Sequence, residues 1–119
     1  MVVFFPFAFT GICTGELGAI RDDIGTYQNG DVQVLGVSCD AMPTLRVFAD
    51  REGITFPLLS DFWPHGDVAR AYGVFDDRAG LALRGTFIVD RDGIVRWSVV
   101  NQRGRARDAS AYRVALAAL

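Results

Sequence analysis

Residues 1–5, Met-Val-Val-Phe-Phe, are apolar without alternation and end at Pro6. So short a run, rich in Val and Phe, fits a strand covered on both faces. Such a strand belongs inside a sheet with helices packed against it, which constrains the rest of the chain to a layered α/β arrangement. Residues 32–37 repeat the pattern, and between the two runs residues 12–27 carry Leu17, Ile20 and Ile24 at helical spacing. Strand, helix and strand in that order form a parallel pair with a right-handed crossover.

The remaining elements follow from punctuation. Pro43 suits the first turn of a helix that carries Leu45, Val47 and Phe48 and runs to residue 52, where Gly53 ends it. Residues 56–59 read as a short extended piece, and 61–66, Asp-Phe-Trp-Pro-His-Gly, as a loop. Asp67 is expected to cap a short helix over 67–72. Residues 86–89 and 95–100 are β-rich, and Asp90-Arg91-Asp92-Gly93 between them signals a hairpin. Residues 109–119 are Ala- and Leu-rich and helical. The order β-α-β-α, a connection with a short helix, then β-β-α is the thioredoxin-like layout, an α/β fold in a single domain over residues 1–119.

Composition narrows the function classes. A formal charge of −2 and a pI near 5.2 exclude the clustered cations of a nucleic-acid surface. All twelve basic residues are Arg, which reads as codon bias. No apolar stretch is long enough for a membrane helix. The apolar opening has no basic region before it and is interrupted by Pro6, so it does not read as a secretory leader, and the expected location is cytoplasmic. Cys13 and Cys39 stand outside any CxxC or His spacing, which argues against a zinc site. Neither a metal nor an organic cofactor is expected, and both thiols should be free.

The chemistry concentrates at Pro6-Phe7-Ala8-Phe9-Thr10-Gly11-Ile12-Cys13, where a buried strand ends and Cys13 enters the first turn of the next helix. Unpaired N–H groups and the helix dipole there favour a thiolate, hence a nucleophile. Thr10 can bring a hydroxyl near the sulfur, or only cap the helix. Pro6 stiffens the loop and shields the sulfur. Arg84, opening a late strand, is the candidate to hold the thiolate with fixed donors, unless it is a surface arginine. Glu16, one turn after Cys13, can orient Arg84 or merely complement the dipole. Cys39, after a buried strand, reads as a structural thiol and His65 as structural. Phe62, Trp63 and Pro64 suit a core lid or a dimer contact.

Phe-Phe-Pro-x-x-Phe-Thr-x-x-Cys at residues 4–13 resembles the active-site motif of the peroxiredoxins (AhpC/TSA). Arg84-Gly85-Thr86-Phe87-Ile88-Val89-Asp90 is similar to that family's arginine strand. Val37-Ser38-x-Asp40 and residues 56–61 match further segments, and with 62–66 the likeness is closest to the one-cysteine AhpE-type subgroup of actinobacteria. It implies a thioredoxin-fold peroxidase with Pro6, Thr10, Cys13 and Arg84 in the catalytic positions and Cys13 forming a sulfenic acid. The implied partners are a hydroperoxide and an external thiol reductant: thioredoxin, a mycoredoxin or a low-molecular-weight thiol. The resemblance also favours a homodimer.

Two departures stand out. The family has a further N-terminal stretch of roughly 30 residues with an A-P-D-F segment, so the fold expected here lacks that extension. No cysteine occupies the familiar resolving positions, since residue 18 is Gly and residue 49 Ala. Two other classes compete with the peroxidase. A disulfide oxidoreductase would want a second cysteine three residues on, where Glu16 stands. The other is an inactive thiol-containing binding domain.

Overall fold

The computed structural model describes residues 1–119. Along the chain run β1 (Val2–Phe4), α1 (Gly11–Asp22), α2 (Ile24–Tyr27), β2 (Leu35–Ser38), α3 (Met42–Glu52) and β3 (Leu58–Ser60). They are followed by α4 (Asp67–Ala71), β4 (Phe75–Asp76), β5 (Leu81–Ala82), β6 (Arg84–Val89), β7 (Val95–Asn101) and α5 (Ala109–Ala117). Five strands form one sheet in the order β3-β2-β1-β6-β7. The three strands β1, β2 and β3 are parallel; β6 runs antiparallel to β1, and β7 antiparallel to β6. The non-alternating opening run is thus the central strand, as its two-sided hydrophobicity requires.

Successive side chains of β1 serve different cores. Val3 and Phe5 join Cys13, Leu17 and Ile20 of α1, Tyr27, Phe48 of α3 and Tyr112 of α5 on one face. Phe4 joins Val37, Phe87, Ala69 of α4, Val74 and Ala82 on the other. β6 obeys the same alternation: Ile88 lies with the first cluster and Phe87 with the second, which puts Arg84 and Thr86 on the face covered by α1 and α5. At Gly85, facing the other way, an added Cβ would come within 2.9 Å of Val74.

The structure revises several boundaries. The helix expected over 12–27 breaks at Asp23, whose φ of −128° and ψ of 38° are not helical. The Asp23 carboxylate is occupied by the Thr26 hydroxyl and Arg113, and Gly25 follows with its poor helix propensity. The second strand starts at Leu35 rather than 32, because Asn29 Oδ1 accepts the N–H groups of Asp31 and Val32 and curls the chain there. The extended piece at 56–59 becomes a third parallel strand. Asp67 does not cap α4: Gly66 is the cap residue, and the buried Asp61 carboxylate accepts from Val68 and Ala69 N–H at 3.0 and 2.9 Å. The small β4–β5 hairpin is too short for periodicity to reveal.

Candidate active site

Thr10 ends the loop after β1 in extended conformation and is the N-cap residue of α1, so Cys13 lies in the first turn. Its carbonyl accepts from Thr14 N–H at 2.9 Å. Its hydroxyl donates to Phe7 O at 2.8 Å and caps nothing. A hydroxyl has one proton, so Thr10 Oγ1 offers Cys13 no hydrogen bond as donor; only its lone pairs remain free. Pro6 is buried beneath this loop. Phe9 adopts a left-handed φ of 66°, an uncommon conformation for an aromatic residue. Its ring packs edge-on against Phe48 at 5.1 Å.

The loop is tied down from the neighbouring strand. Asp40, just past β2, accepts Ala8 N–H at 2.8 Å and the Ser38 hydroxyl at 2.6 Å on the same oxygen. The Ser60 hydroxyl at the end of β3 donates to Asp40 O at 2.6 Å. The Ser-x-Asp segment thus has a physical task that residue types alone do not disclose.

Arg84 reaches Cys13 from the start of β6. Its Nη1 donates to Cys13 Sγ at 3.2 Å and to Glu16 Oε1 at 2.5 Å, and its Nε to Arg103 O at 2.6 Å. The side chain is only 4% exposed, so it is no surface arginine. Its Nη2 makes no hydrogen bond within the chain, and no fully buried side-chain nitrogen is left unpartnered. That nitrogen therefore reaches accessible space as a free donor. Period-two alternation brings the side chain onto the α1 face, and helical spacing brings Glu16 beside Cys13 on the same helix.

The site holds a second arginine that the sequence does not single out. Arg107, in the loop after β7, is 7% exposed. Its backbone N–H and Nε donate to Glu16 Oε2 at 2.7 and 2.9 Å, and Nη2 to Oε1 at 3.0 Å. Nη1 donates to Phe4 O, Gly85 O and Thr86 Oγ1. Arg-Gly-Arg-Ala-Arg at 103–107 reads as a solvated loop, and nothing in it distinguishes Arg107 from its neighbours. Burial opposes the charge of Glu16, but hydrogen bonds and attraction from Arg107, helped by Arg84, prevail and hold its carboxyl below the ordinary range. One carboxylate between two guanidiniums fixes both.

Cys13 is fully buried among the residues of the α1 face of the sheet. Cys39 lies on the other side of the sheet, near Ala82 and Asp61. Burial first, then the charges of Asp61 and Asp40, push its thiol up to about 11. It is a protonated, inert thiol at neutral pH. His65 Nε2 bonds Gly80 O at 2.7 Å, and its ring lies edge-on to Phe75. No helix is long and apolar enough to cross a membrane.

The model of the AhpC/TSA family matches residues 1–98. Alkyl hydroperoxide reductase E of Mycobacterium tuberculosis is 53% identical over 119 residues, which span all of this chain and 78% of the relative. Alkyl hydroperoxide reductase C of Staphylococcus aureus is 35% identical over 114 residues, 92% of this chain and 59% of that one. The crystal structure of Enterococcus faecalis AhpC superposes with a TM-score of 0.88 at 32% identity, over 98% of this chain and 72% of the other. A reduced 2-Cys peroxiredoxin of Plasmodium vivax gives 0.87 at 26% identity, over 98% and 63%. The chain belongs to the AhpC/TSA family, the peroxiredoxins.

Proposed function

We propose that this chain is a thiol-dependent peroxidase in which the Cys13 thiolate reduces a hydroperoxide, hydrogen peroxide or an organic one. The observation that carries the reading is the Arg84 guanidinium at 3.2 Å from Cys13 Sγ, held there by Glu16. The sulfur attacks the terminal oxygen, the O–O bond breaks, and the other oxygen leaves as alkoxide or hydroxide and takes a proton. Sulfur loses two electrons and becomes a sulfenic acid; the peroxide gains them and becomes an alcohol or water. Donors fixed in advance stabilise charge as it shifts from sulfur to the leaving oxygen, and the free Nη2 of Arg84 is the donor available to that oxygen. Pro6 and Thr10 act by shaping the loop over the sulfur, and Glu16 by orienting Arg84.

An external thiol regenerates the enzyme. It displaces water from the sulfenic acid to give a mixed disulfide, which a second thiol resolves, releasing the Cys13 thiol. Thioredoxin, a mycoredoxin and a low-molecular-weight thiol all fit that chemistry. Two free cysteines support a cytoplasmic setting. Trp63, 81% exposed, and Phe62, 56% exposed, support a homodimer, since a monomer gains nothing by leaving them in water. A disulfide oxidoreductase is disfavoured because residue 16 is an acid already engaged by two arginines.

The decisive experiment is stopped-flow tryptophan fluorescence on mixing with hydrogen peroxide, for the wild type and Cys13→Ser. A concentration-dependent phase that vanishes in the variant is expected; an unchanged phase in Cys13→Ser would overturn the reading.

A further inference from the structure

Behind Arg107 stands a hydroxyl pair that catalysis does not obviously need. Thr86, in the middle of β6, is wholly buried, and its Oγ1 lies 2.9 Å from Tyr112 OH of α5 and 3.1 Å from Arg107 Nη1. A guanidinium only donates, so the threonine oxygen accepts from Arg107; its own proton, or that of Tyr112, closes the bond between the hydroxyls. Arg107 Nη1 has two hydrogens and three acceptors, Phe4 O, Gly85 O and Thr86 Oγ1. Thr86 therefore shares a hydrogen, and the way its oxygen is held biases the lean of the guanidinium. The opposite edge of that guanidinium grips both oxygens of Glu16, whose Oε1 also takes the Arg84 nitrogen that touches Cys13 Sγ. Burial raises the Tyr112 phenol above its ordinary range, so it keeps its proton throughout neutral pH.

We propose that Tyr112 and Thr86 are positioning residues that set Arg107, and through Glu16 and Arg84 the environment of Cys13, from the C-terminal helix. The proposal deepens the peroxidase reading and rests on it. Packing alone does not account for the pair. The Tyr112 ring already contacts Tyr27 and Trp97 edge-on at 6.2 and 5.9 Å, contacts that Tyr112→Phe retains. Replacing both members of a buried neutral hydrogen bond by apolar groups of the same shape is close to neutral for stability. What the hydroxyls add is a direction for Arg107.

The test uses Tyr112→Phe, Thr86→Val, the double variant and Thr86→Ser. Three quantities are measured for each: the rate constant with hydrogen peroxide, the rate of Cys13 alkylation by iodoacetamide, and the denaturation midpoint. Tyr112→Phe should lower both rates about five-fold, Thr86→Val, which also removes the Arg107 acceptor, at least as much, and the double variant no further than Thr86→Val, because Tyr112 acts on Arg107 only through Thr86. Thr86→Ser keeps the hydroxyl and should stay near the wild type. In the double variant the midpoint should return toward the wild type while both rates remain low. Wild-type rates in the single variants, or rates that recover along with stability in the double variant, would overturn the proposal. If the wild type itself consumes no peroxide, the peroxidase reading fails, and the alkylation rates still decide the positioning role.

Discussion

Arg84 Nη1 stands 3.2 Å from Cys13 Sγ although the two residues are 71 positions apart in the chain. The contact is made by an edge of guanidinium that also serves Glu16, while Nε is anchored on Arg103 O. A side chain fixed at three points costs little to reorganise as charge moves from sulfur to the leaving oxygen.

Arg84→Met should therefore lower the rate with hydrogen peroxide by roughly a hundred-fold or more, the usual effect of removing a fixed charge-stabilising donor. Arg84→Lys should recover little of it, since one ammonium cannot reproduce the planar fork that reaches sulfur, carboxylate and carbonyl together. Stopped-flow mixing measures both, and a near-normal rate in Arg84→Met would remove Arg84 from the mechanism.

Glu16→Gln keeps the shape of the side chain and removes the only anion between two buried guanidiniums. Side-chain exposures of 7% for Glu16, 4% for Arg84 and 1% for Arg107 place the trio out of water. Loss of one member should destabilise the fold by about 3 kcal/mol. Urea denaturation of both proteins at pH 7 supplies the comparison; equal stabilities would mean that the trio contributes no net energy.

The same carboxylate sets an acid limit. Burial acts to raise the Glu16 carboxyl and Arg107 with Arg84 to lower it, with the arginines prevailing, so its folded value lies below its ordinary 4.5. A depressed group contributes stability that is complete above the unfolded value and is lost as pH falls through the folded one. Stability should thus be flat above about pH 5 and fall steeply below 4.5. Asp76, Asp90 and Asp108 are also depressed, chiefly by hydrogen bonds from Ala79 N–H, Ile94 N–H and the Ser110 hydroxyl, and add the same slope to any variant. Denaturation midpoints from pH 6 to 3 should converge for the wild type and Glu16→Gln; parallel curves would assign the acid limit elsewhere.

Oxidised protein should carry a sulfenic acid on Cys13 and no Cys13–Cys39 disulfide. Cys13 packs with Val3 and Phe5 on one face of the sheet, whereas Cys39 neighbours Ala82 on the other. A disulfide needs Cα atoms within about 7 Å and a thiolate to attack, and a thiol at about 11 supplies almost none at neutral pH. Peptide mass analysis after peroxide treatment without reductant separates the two outcomes. Cys39→Ser should turn over with an external thiol as the wild type does; a Cys13–Cys39 link in most molecules would require a two-cysteine cycle.

Local residue order was enough to place most of the elements and to single out Cys13 at the start of a helix. The unbroken apolar run at 1–5 had to be a central strand, and Cys13 had to enter a helix directly after it, because both follow from neighbours within a dozen residues. Glu16 and Cys13 share a helix face by spacing alone, and the parity of β6 puts Arg84 and Thr86 on one side of the sheet once that strand exists. Only the tertiary structure decided which arginine in 103–107 turns inward, since the loop after β7 has no period and burial of Arg107 depends on Phe4, Gly85 and Glu16 arriving from three other elements. It also decided that the Thr10 proton goes to Phe7 O, that Asp61 rather than Asp67 caps α4, and that the two cysteines are separated by the sheet. The choices at Arg107, Thr10 and Asp61 are competitions among hydrogen-bond partners that lie close in space, and a one-dimensional pattern holds no record of which partner is nearer.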